Sequence, residues 1–321
     1  MLESADLVYS RTIPKRWKLL NNLCAILKRG LYALLGLAAV LFVAFALTAQ
    51  PLKPHPYFAD DRVLVIAHRG GKGLAPENTM AAFTHSVELR VDVLEMDLRQ
   101  SNDGALIILH DGKVDRTTDG RGRADRLSLG ELQSLDAGYH FSPDEKTYPF
   151  RDKQVTIPTL DEVFTAFPQI RFLIEIKDNS DTLALALCRT VKRFKLEQQV
   201  SVASFRNGPL EAFKDACPTV ATSTPASASL AFTLLHWLRL DAAYHPTHQA
   251  FQFPLRMGNI DLVGRRFIER AHAHNIQVHA WTINEADTMR RLIDLGVDGL
   301  ITDYPDRLLK ILQRLPEKEG Q

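Results

Sequence analysis

The sequence is poor in cysteine and has no excess of charge of either sign. Three cysteines in 321 residues, with no CxxC pair, exclude a disulfide scaffold and a zinc finger. At most one disulfide can form, and nothing in the sequence requires it. The 39 basic and 38 acidic residues leave a formal net charge of +1, which argues against a nucleic-acid partner, because such a partner needs a basic face. No low-complexity tract or solenoid repeat is present, and 45% hydrophobic residues suffice for a large core.

A long uncharged run lies near the N-terminus. Residues 30–49 carry no charge over 20 positions, which as a helix would span roughly 30 Å, the thickness of a bilayer core. Two acidic residues precede the run, and so do six basic ones: Arg11, Lys15, Arg16, Lys18, Lys28 and Arg29. The positive-inside rule then predicts a basic cytoplasmic segment at 1–29, a transmembrane helix at 30–50 and the rest of the chain on the outer, extracytoplasmic side. A cleaved signal peptide and a buried core helix are the alternatives.

Prolines 51, 54 and 56 predict a stalk at 51–60, and the folded domain is expected at 61–315. Apolar strand patterns alternate there with amphipathic helical patterns, which is typical of a (β/α)₈ TIM-type barrel. The predicted strands are Val63–Ala67, Val91–Leu98, Phe172–Ile176, Val200–Ser204, Thr219–Thr222, Asp241–Tyr244, Gln277–Trp281 and Leu300–Thr302. The predicted helices are Asn78–Glu88, Leu160–Phe167, Thr182–Phe194, Pro209–Ala216, Val263–His274 and Glu285–Leu295.

One connection is too short for a parallel crossover, which needs a dozen or more residues. The turn signal at residues 101–104 predicts that residues 105–110 return antiparallel to the second strand. Two registers remain open: one puts His110 opposite Glu95, and the other puts it opposite Asp97. The polar, glycine-bearing stretch 111–156 then forms an insertion in the barrel.

Carboxylates alternate with apolar residues at the ends of two predicted strands. Period-two alternation puts Glu95 and Asp97 on one face of their strand, and Glu175 and Lys177 on one face of the next. We expect these four side chains inside the barrel, near the carboxyl ends of the strands, where barrel active sites lie. Three carboxylates in one enclosed space repel each other unless a cation lies among them, and oxygen-only ligands suit Mg²⁺ or Ca²⁺. Salt bridges of Lys177 with Glu175 or Asp97 are the alternative.

The first predicted strand ends in His68-Arg69-Gly70-Gly71. Two glycines after a strand permit a sharp turn or a close approach to a ligand. His68 can transfer protons near neutral pH, and Arg69 can bind an anionic phosphate through both arms of its guanidinium group.

These residues, with others in register, resemble the glycerophosphodiester phosphodiesterase family between about Val63 and Leu308. The motifs that carry the resemblance are His68-Arg69-Gly70-Gly71, Ala75-Pro76-Glu77-Asn78-Thr79, Ala82-Phe83, Glu95-Met96-Asp97, His110-Asp111, Arg116-Thr117-Thr118-Asp119-Gly120, Ile157-Pro158-Thr159-Leu160-Asp161-Glu162, Glu175-Ile176-Lys177, Ala280-Trp281-Thr282-Ile283-Asn284 and Gly296-Val297-Asp298-Gly299-Leu300-Ile301-Thr302-Asp303.

The resemblance implies a metal-dependent hydrolase that releases glycerol 3-phosphate and an alcohol from glycerophosphodiesters. It implies Glu95, Asp97 and Glu175 as ligands of one divalent cation and His68 with His110 as the acid–base pair. It further implies that Arg69 and Lys177 bind the phosphate. The attacking group is either water or the substrate's own glycerol hydroxyl, which would give a cyclic phosphate first.

Three further residues have structural as well as functional interpretations. Asn78 is expected as a helix N-cap, and Asp303 as the cap of the last barrel loop. Trp281 ends a strand and packs either on the substrate or in the core.

The apolar segment 228–240, with Phe232, Leu235, Trp237 and Leu238, follows a barrel strand and belongs on the active-site side. Together with residues 251–255 it is either an outer-ring helix or a wall near the membrane that accepts an acyl chain. The second interpretation predicts lysophospholipase D-type hydrolysis of lysophospholipids. A barrel glycosidase with Glu95 and Glu175 as acid and nucleophile, or an inactive membrane-tethered binding module, are the remaining alternatives.

Overall fold

The structure, a computed structural model, describes residues 15–254, 256–257, 260–261 and 264–316. Arg11, Leu255 and Val263, which enter the sequence predictions above, lie outside the described residues. The chain divides after Ala49 into two units. The first contains helix α1 (Lys15–Ala46), in which residues 22–46 are long and apolar enough to cross a membrane and are not buried. A signal sequence near an N-terminus meets the same test.

The second unit is a nearly closed barrel of parallel strands, as the sequence predicts. The strands are β1 (Leu64–Ala67), β2 (Val93–Gln100), β3 (Leu106–Ile108), β4 (Arg171–Ile176), β5 (Val200–Ala203), β6 (Ala221–Thr222), β7 (Ala250–Pro254), β8 (Arg256–Met257), β9 (Ile260–Asp261), β10 (Gln277–Trp281) and β11 (Gly299–Thr302). Within the described residues, eight of them pair in the order β6-β5-β4-β2-β1-β11-β10-β7, and each ladder along that path is parallel. A parallel bridge between Ser223 and Ala250 joins the two ends of this path.

Helices cover the outside of the strands. They are α2 (Met80–Glu88), α3 (Leu129–Gln133), α4 (Leu160–Ala166), α5 (Asp181–Phe194), α6 (Asn207–Ala216), α7 (Ala226–Trp237), α8 (Arg265–His272), α9 (Ala286–Leu295) and α10 (Pro305–Ile311). Helix α4 begins where its sequence dictates, because Thr159 and Glu162 form a reciprocal capping box that satisfies backbone N–H groups of the first turn. The main core lies between strands and helices and includes Phe83, Phe172 and Phe251.

A second, smaller apolar cluster fills the barrel interior. Inward side chains of the strands, Leu64, Val93 and Leu173 among them, pack around Tyr57 in the short helix Pro56–Phe58. Tyr57 therefore closes the amino-terminal end of the barrel. The segment 51–60, expected as a stalk, lies against this end, where Leu52 exchanges hydrogen bonds with the loop before β10.

The hairpin after β2 forms, but neither predicted register is right. The structure pairs Leu98 with Ile108 and Gln100 with Leu106. This register lies between the two predicted ones and differs from each by one residue. The loop places Gly104 at a φ of 88°, which adds a third loop residue to the turn. The antiparallel ladder ends at Ile108, so His110 lies beyond it and reaches the site from the following loop.

The strand predicted at Asp241–Tyr244 is wrong. Residues 241–243 form a short 3-10 helix, and the sixth barrel strand is instead Ala250–Pro254. The buried Asp241 carboxylate is held there by Arg266 and Arg270 of α8, contacts that no strand signal in the sequence indicates.

One disulfide joins two outer helices. Cys188 of α5 is bonded to Cys217, which follows α6. The bridge is the single one that three cysteines permit, and Cys24 in α1 is free.

Candidate active site

A cavity of about 530 Å³ opens at the carboxyl ends of the barrel strands. One side of it is polar and is lined by six of the predicted site residues, His68, Arg69, Glu95, His110, Glu175 and Lys177. Asp97 lies beside them beneath the cavity surface, with its side chain only 1% exposed. The structure therefore brings together the residues that the sequence predicts, at the end of the barrel where active sites lie.

Three carboxylates converge because their strands are neighbours. Strands β2 and β4 run parallel with Asp97 opposite Glu175, and Glu95 lies two residues earlier on the same face of β2. One oxygen atom from each of the three side chains lies within 4.8 Å of the others. This is the spacing of a set of ligands around one ion.

Charge in this cluster is incompletely balanced. Burial, and then the adjacent Asp97, raise the pKa of Glu95 well above its ordinary value. Burial also raises the pKa of Glu175, whereas for Asp97 the cations Lys177 and Arg69 outweigh burial and lower the pKa. A bound cation would remove this repulsion, so the three carboxylates fit a hard divalent ion.

Lys177 makes the salt bridges considered from the sequence. Its Nζ lies 3.0 Å from Asp97 Oδ1 and 2.8 Å from Glu175 Oε1. Each of these two carboxylates has a second oxygen, and Glu95 makes no salt bridge with Lys177 among the described contacts. The lysine and a cation are therefore compatible in one site, where both would face an anionic group.

The turn after β1 places Arg69 against the carboxylates. Arg69 has a φ of 50° and Gly70 one of 79°, and a Cβ on Gly70 would lie 2.7 Å from the Phe83 ring, so only glycine fits there. The backbone N–H of Arg69 donates to Glu95 Oε2 at 2.6 Å. Its Nε lies 3.3 Å from an Asp97 oxygen but is poorly aligned for a hydrogen bond, which leaves a buried donor near the cavity.

Both histidines are held at Nδ1 by a carboxylate. His68 Nδ1 lies 2.6 Å from Asp303 Oδ1, and Asn284 donates to the other Asp303 oxygen at 2.8 Å. His110 Nδ1 lies 2.6 Å from Asp111 Oδ1. Because an ionised carboxylate only accepts hydrogen bonds, each Nδ1 carries a proton, and each Nε2 is left to exchange one.

The neighbours of His110 shift the pKa of its ring and hold its backbone in place. Burial lowers its pKa, although Asp97 and Asp111 oppose the change. Its backbone carbonyl accepts hydrogen bonds from Arg99 Nε at 3.0 Å and Nη2 at 2.8 Å. Arg116 Nε in turn donates to the second oxygen of Asp111 at 2.6 Å.

Two residues that organise the site were expected from the sequence only as helix or loop caps. Asn78, expected as an N-cap, donates to Asp97 Oδ2 at 2.8 Å, and Thr79 caps α2 instead. Asp303, expected as a loop cap, orients His68. A signal for the second contact does exist, because β1 and β11 are adjacent in the barrel and His68 and Asp303 each follow the last residue of their strand.

The other side of the cavity is apolar. Trp281 and Phe205 meet edge to face with ring centroids 5.8 Å apart, and Phe205 is 61% exposed. Leu230 and Trp237 of α7 line the same side and are about half exposed. Phe232, by contrast, is fully buried in the core. Helix α7 is therefore an outer-ring helix that packs on the core through Phe232, and Leu230 and Trp237 of the same helix line the cavity.

Comparison with known proteins agrees with this geometry. Residues 68–307 match the Glycerophosphoryl diester phosphodiesterase family. A glycerophosphodiester phosphodiesterase of Caldanaerobacter subterraneus subsp. tengcongensis is 32% identical over 79% of this chain and 99% of its own length. Lysophospholipase D GDPD1 of Mus musculus is 29% identical over 77% of this chain and 85% of its own length.

A solved structure also aligns with the barrel. A phosphodiesterase of Oleispira antarctica, in complex with the product sn-glycerol-3-phosphate, is 26% identical, with a TM-score of 0.62. The alignment covers 78% of this chain and 96% of that chain.

Proposed function

The chain belongs to the glycerophosphoryl diester phosphodiesterase family and hydrolyses glycerophosphodiesters to glycerol 3-phosphate and an alcohol, and we propose that it does so with one divalent cation and two histidines. The observation that carries this proposal is the convergence of Glu95, Asp97 and Glu175 beside His68 and His110. Family membership favours this activity over the glycosidase and the inactive binding module considered from the sequence.

One Mg²⁺ or Ca²⁺ is assigned to the three carboxylates. When bound, the cation would neutralise charge on the phosphate. Arg69 and Lys177 bind the phosphate as well, because both line the cavity and both form salt bridges with its carboxylates. Their positive charge is most effective in a partly buried site from which water is excluded.

His68 and His110 divide the proton transfers between them. The attacking group is water, or the substrate's glycerol hydroxyl followed by water on the cyclic phosphate. Its oxygen forms a new P–O bond while the P–O bond to the leaving group breaks, and one histidine accepts its proton at Nε2. The other donates a proton from Nε2 to the oxygen of the leaving alcohol. Asp303 and Asp111 hold the rings in the orientation and tautomer that this exchange needs.

A phosphorus NMR assay of the purified full chain tests the assignment. With glycerophosphocholine, we expect glycerol 3-phosphate in the presence of Mg²⁺ or Ca²⁺ and none in excess EDTA. Glu95→Gln, Asp97→Asn and Glu175→Gln should lose the metal-dependent rate. Full activity after chelation contradicts the metal assignment.

The acid–base assignment has its own control. His68→Ala and His110→Ala should lose turnover while still binding the cation in a calorimetric titration. A histidine variant with a near-normal rate would show that the ring transfers no proton.

The apolar side of the cavity supports a second candidate activity, lysophospholipase D-type hydrolysis. Leu230 and Trp237 of α7 belong to the cavity wall, so an acyl chain can lie there while the phosphate lies at Arg69 and Lys177. One relative with a similar sequence is a lysophospholipase D.

The comparison of two substrates tests this activity. Trp237→Ala and Leu230→Ala should lower the rate with a short-chain lysophosphatidylcholine and leave the rate with glycerophosphocholine unchanged. Leu234→Ala is the matched control, because Leu234 is exposed on the same helix but does not line the cavity. Equal rates with both substrates in all variants would remove the lysophospholipid proposal.

The proposed domains are a basic cytoplasmic segment at 1–29, a membrane helix at 30–50, a linking segment at 51–60 and the catalytic barrel at 61–315, with an insertion at 111–156. The helical residues 22–46, which are long and apolar enough on average to cross a membrane and are not buried, support the membrane helix. The Cys188–Cys217 disulfide supports a barrel on the oxidising, extracytoplasmic side, because disulfides are rare in the cytoplasm.

A further inference from the structure

Two side chains of the proposed site are linked through three side chains between them. His110 pairs with Asp111, and Asp111 accepts a hydrogen bond from Arg116 Nε. The two terminal nitrogens of Arg116 donate to both oxygens of Glu77, at 2.8 and 2.7 Å. Arg69 Nη1 donates to one of those same Glu77 oxygens at 2.9 Å. The path therefore runs from the acid–base histidine to the phosphate-binding arginine without a gap.

Arg116 is the centre of this path and is not part of the cavity. It is not among the described residues that line the cavity, and its side chain is 48% exposed, against 13% for Glu77 and 12% for Arg69. It belongs to the stretch 111–156, which lies outside the repeat of strands and helices. This stretch therefore supplies one side chain that reaches two parts of the site.

The guanidinium group fixes the direction of both carboxylates that it contacts. Because Arg116 is planar and binds Glu77 through two nitrogens, it sets the plane of the Glu77 carboxylate, and with it the oxygen that faces Arg69. Its Nε does the same for Asp111, whose other oxygen faces His110. Burial raises the pKa of both carboxyls, but Arg116, together with Arg69 at Glu77 and His110 at Asp111, lowers each pKa to about 2, so both stay ionised acceptors near neutral pH.

We propose that Arg116 is a positioning residue that sets the orientation of His110 relative to Arg69, and so aligns proton transfer with the bound phosphate. This inference rests on the proposed function of those two residues. Reacting groups that shift by about 1 Å lose on the order of 100-fold in rate, so a side chain outside the cavity can still determine turnover.

A merely structural ion pair predicts a different outcome. Half-exposed ion pairs contribute little to folding, so removal of Arg116 should change the melting temperature by no more than a few degrees. A merely structural pair therefore predicts a nearly unchanged rate as well, whereas a positioning role predicts a large loss of rate at the same small change in stability.

The experiment uses the purified full chain and glycerophosphocholine. For Arg116→Ala, we expect kcat to fall by about 10-fold to 100-fold and KM to rise, because both the histidine and the phosphate-binding arginine lose their orientation. Arg116→Lys keeps the charge but not the planar fork, so it should recover only part of the rate. Guanidinium chloride, below denaturing concentration, should restore part of the rate of Arg116→Ala by occupying the vacated position.

Arg123→Ala is the matched control. Arg123 forms an exposed ion pair with Asp125 in the same stretch and contacts no site residue among the described contacts. It should keep the wild-type rate, and guanidinium should not raise it. The wild-type protein with guanidinium completes the comparison.

Two outcomes overturn the proposal. One is an Arg116→Ala rate within about threefold of wild type. The other is a lower rate that guanidinium does not restore, or that accompanies a large fall in melting temperature, since either would show a structural role. An inactive wild-type protein would instead contradict the proposed function itself, so the two failures are distinguishable.

Discussion

Each histidine of the proposed acid–base pair is oriented by one carboxylate, but the two carboxylates lie at very different distances along the sequence. The partner of His68 is 235 residues away, whereas the partner of His110 is its neighbour Asp111. In both cases the carboxylate faces Nδ1, so the two rings present the same nitrogen to the cavity. The common arrangement matters because only one proton-exchanging nitrogen per ring then remains.

Asn78 should control the affinity of the cation site. It is buried, its amide donates to Asp97 Oδ2, and its side-chain oxygen accepts from the Asp97 backbone N–H at 3.3 Å. Residues that orient a ligand typically change metal affinity by about 10-fold to 100-fold. We therefore expect Asn78→Ala to raise the Mg²⁺ or Ca²⁺ concentration for half-maximal activity by that factor. Asn275→Ala, at the other end of the barrel, should leave it unchanged. An unaltered activation curve for Asn78→Ala contradicts the orienting role.

His279 should make the barrel less stable in acid. It lies inside the barrel beside Phe58, neither ring nitrogen has a hydrogen-bond partner among the described residues, and burial lowers its pKa to about 4 despite the nearby Asp298. The ordinary pKa is 6.5, so between pH 6.5 and 4 the unfolded chain binds a proton that the folded chain does not. Stability therefore falls as the pH falls through this window, by about 3 kcal/mol in total.

The measurement compares the melting temperature of the full chain with that of His279→Leu from pH 8 to pH 4. The wild-type protein should lose more stability than the variant between pH 6.5 and 4, whereas the two curves should run parallel above pH 7. Parallel curves over the whole range would show that His279 does not carry this effect.

Side-chain alternation predicts which residues face the site, but it does not predict what they contact. Glu95 and Asp97 could be assigned to the barrel interior because successive residues of a strand point to opposite faces. The contact between Asn78 and Asp97 depends on a φ of 57° at Asn78, which turns its side chain away from the helix that it precedes. No local pattern in the sequence encodes that geometry.

At the scale of elements, strand β7 shows where sequence patterns stop being informative. Residues 241–244 and residues 250–254 are both short and largely apolar, and such runs cannot be told apart by periodicity. The second run is the strand because its neighbour β10 pairs with it over five residues, a contact between distant parts of the sequence. The hairpin register was missed by one residue for a related reason, since the loop length depends on the backbone of Gly104.

The short helix Pro56–Phe58 should be a major source of barrel stability. Tyr57 is 1% exposed and packs among inward side chains of the strands, while Arg171 Nη1 donates to its carbonyl oxygen at 2.9 Å. Removing a buried aromatic ring usually costs about 3–5 kcal/mol. We expect Tyr57→Ala to lower the melting temperature by roughly 6–20 °C, at about 2–4 °C per kcal/mol.

Tyr57→Phe and Tyr148→Ala separate the ring from other effects. The first keeps the ring and should cost less than about 1.5 kcal/mol. The second removes a ring that is 41% exposed, so its melting temperature should change little. If Tyr57→Ala melts with the wild-type protein, the amino-terminal end of the barrel is closed by other residues.

At the scale of the whole molecule, the apolar helix of the first unit and the disulfide of the second both bear on the proposed location of the barrel. The run of apolar residues predicted the membrane helix from length and composition alone, and the structure adds that residues 22–46 form a helix. The disulfide could not be predicted, because the sequence does not show that α5 and α6 lie side by side. Their contact brings Cys188 and Cys217 together, 29 residues apart in sequence.

The disulfide makes the sidedness of the barrel measurable. A bridge that closes a loop of 29 residues contributes about 3–4 kcal/mol in the chain-entropy view, provided that the barrel folds where thiols are oxidised. In full chain extracted from its membrane and denatured, we expect maleimide-polyethylene glycol to label Cys24 alone before reduction and all three cysteines after it. Cys188→Ser with Cys217→Ser should melt at a lower temperature than wild type, and reductant should lower only the wild-type value. Labelling of all three cysteines before reduction would place the barrel in a reducing compartment and reverse the proposed orientation of α1.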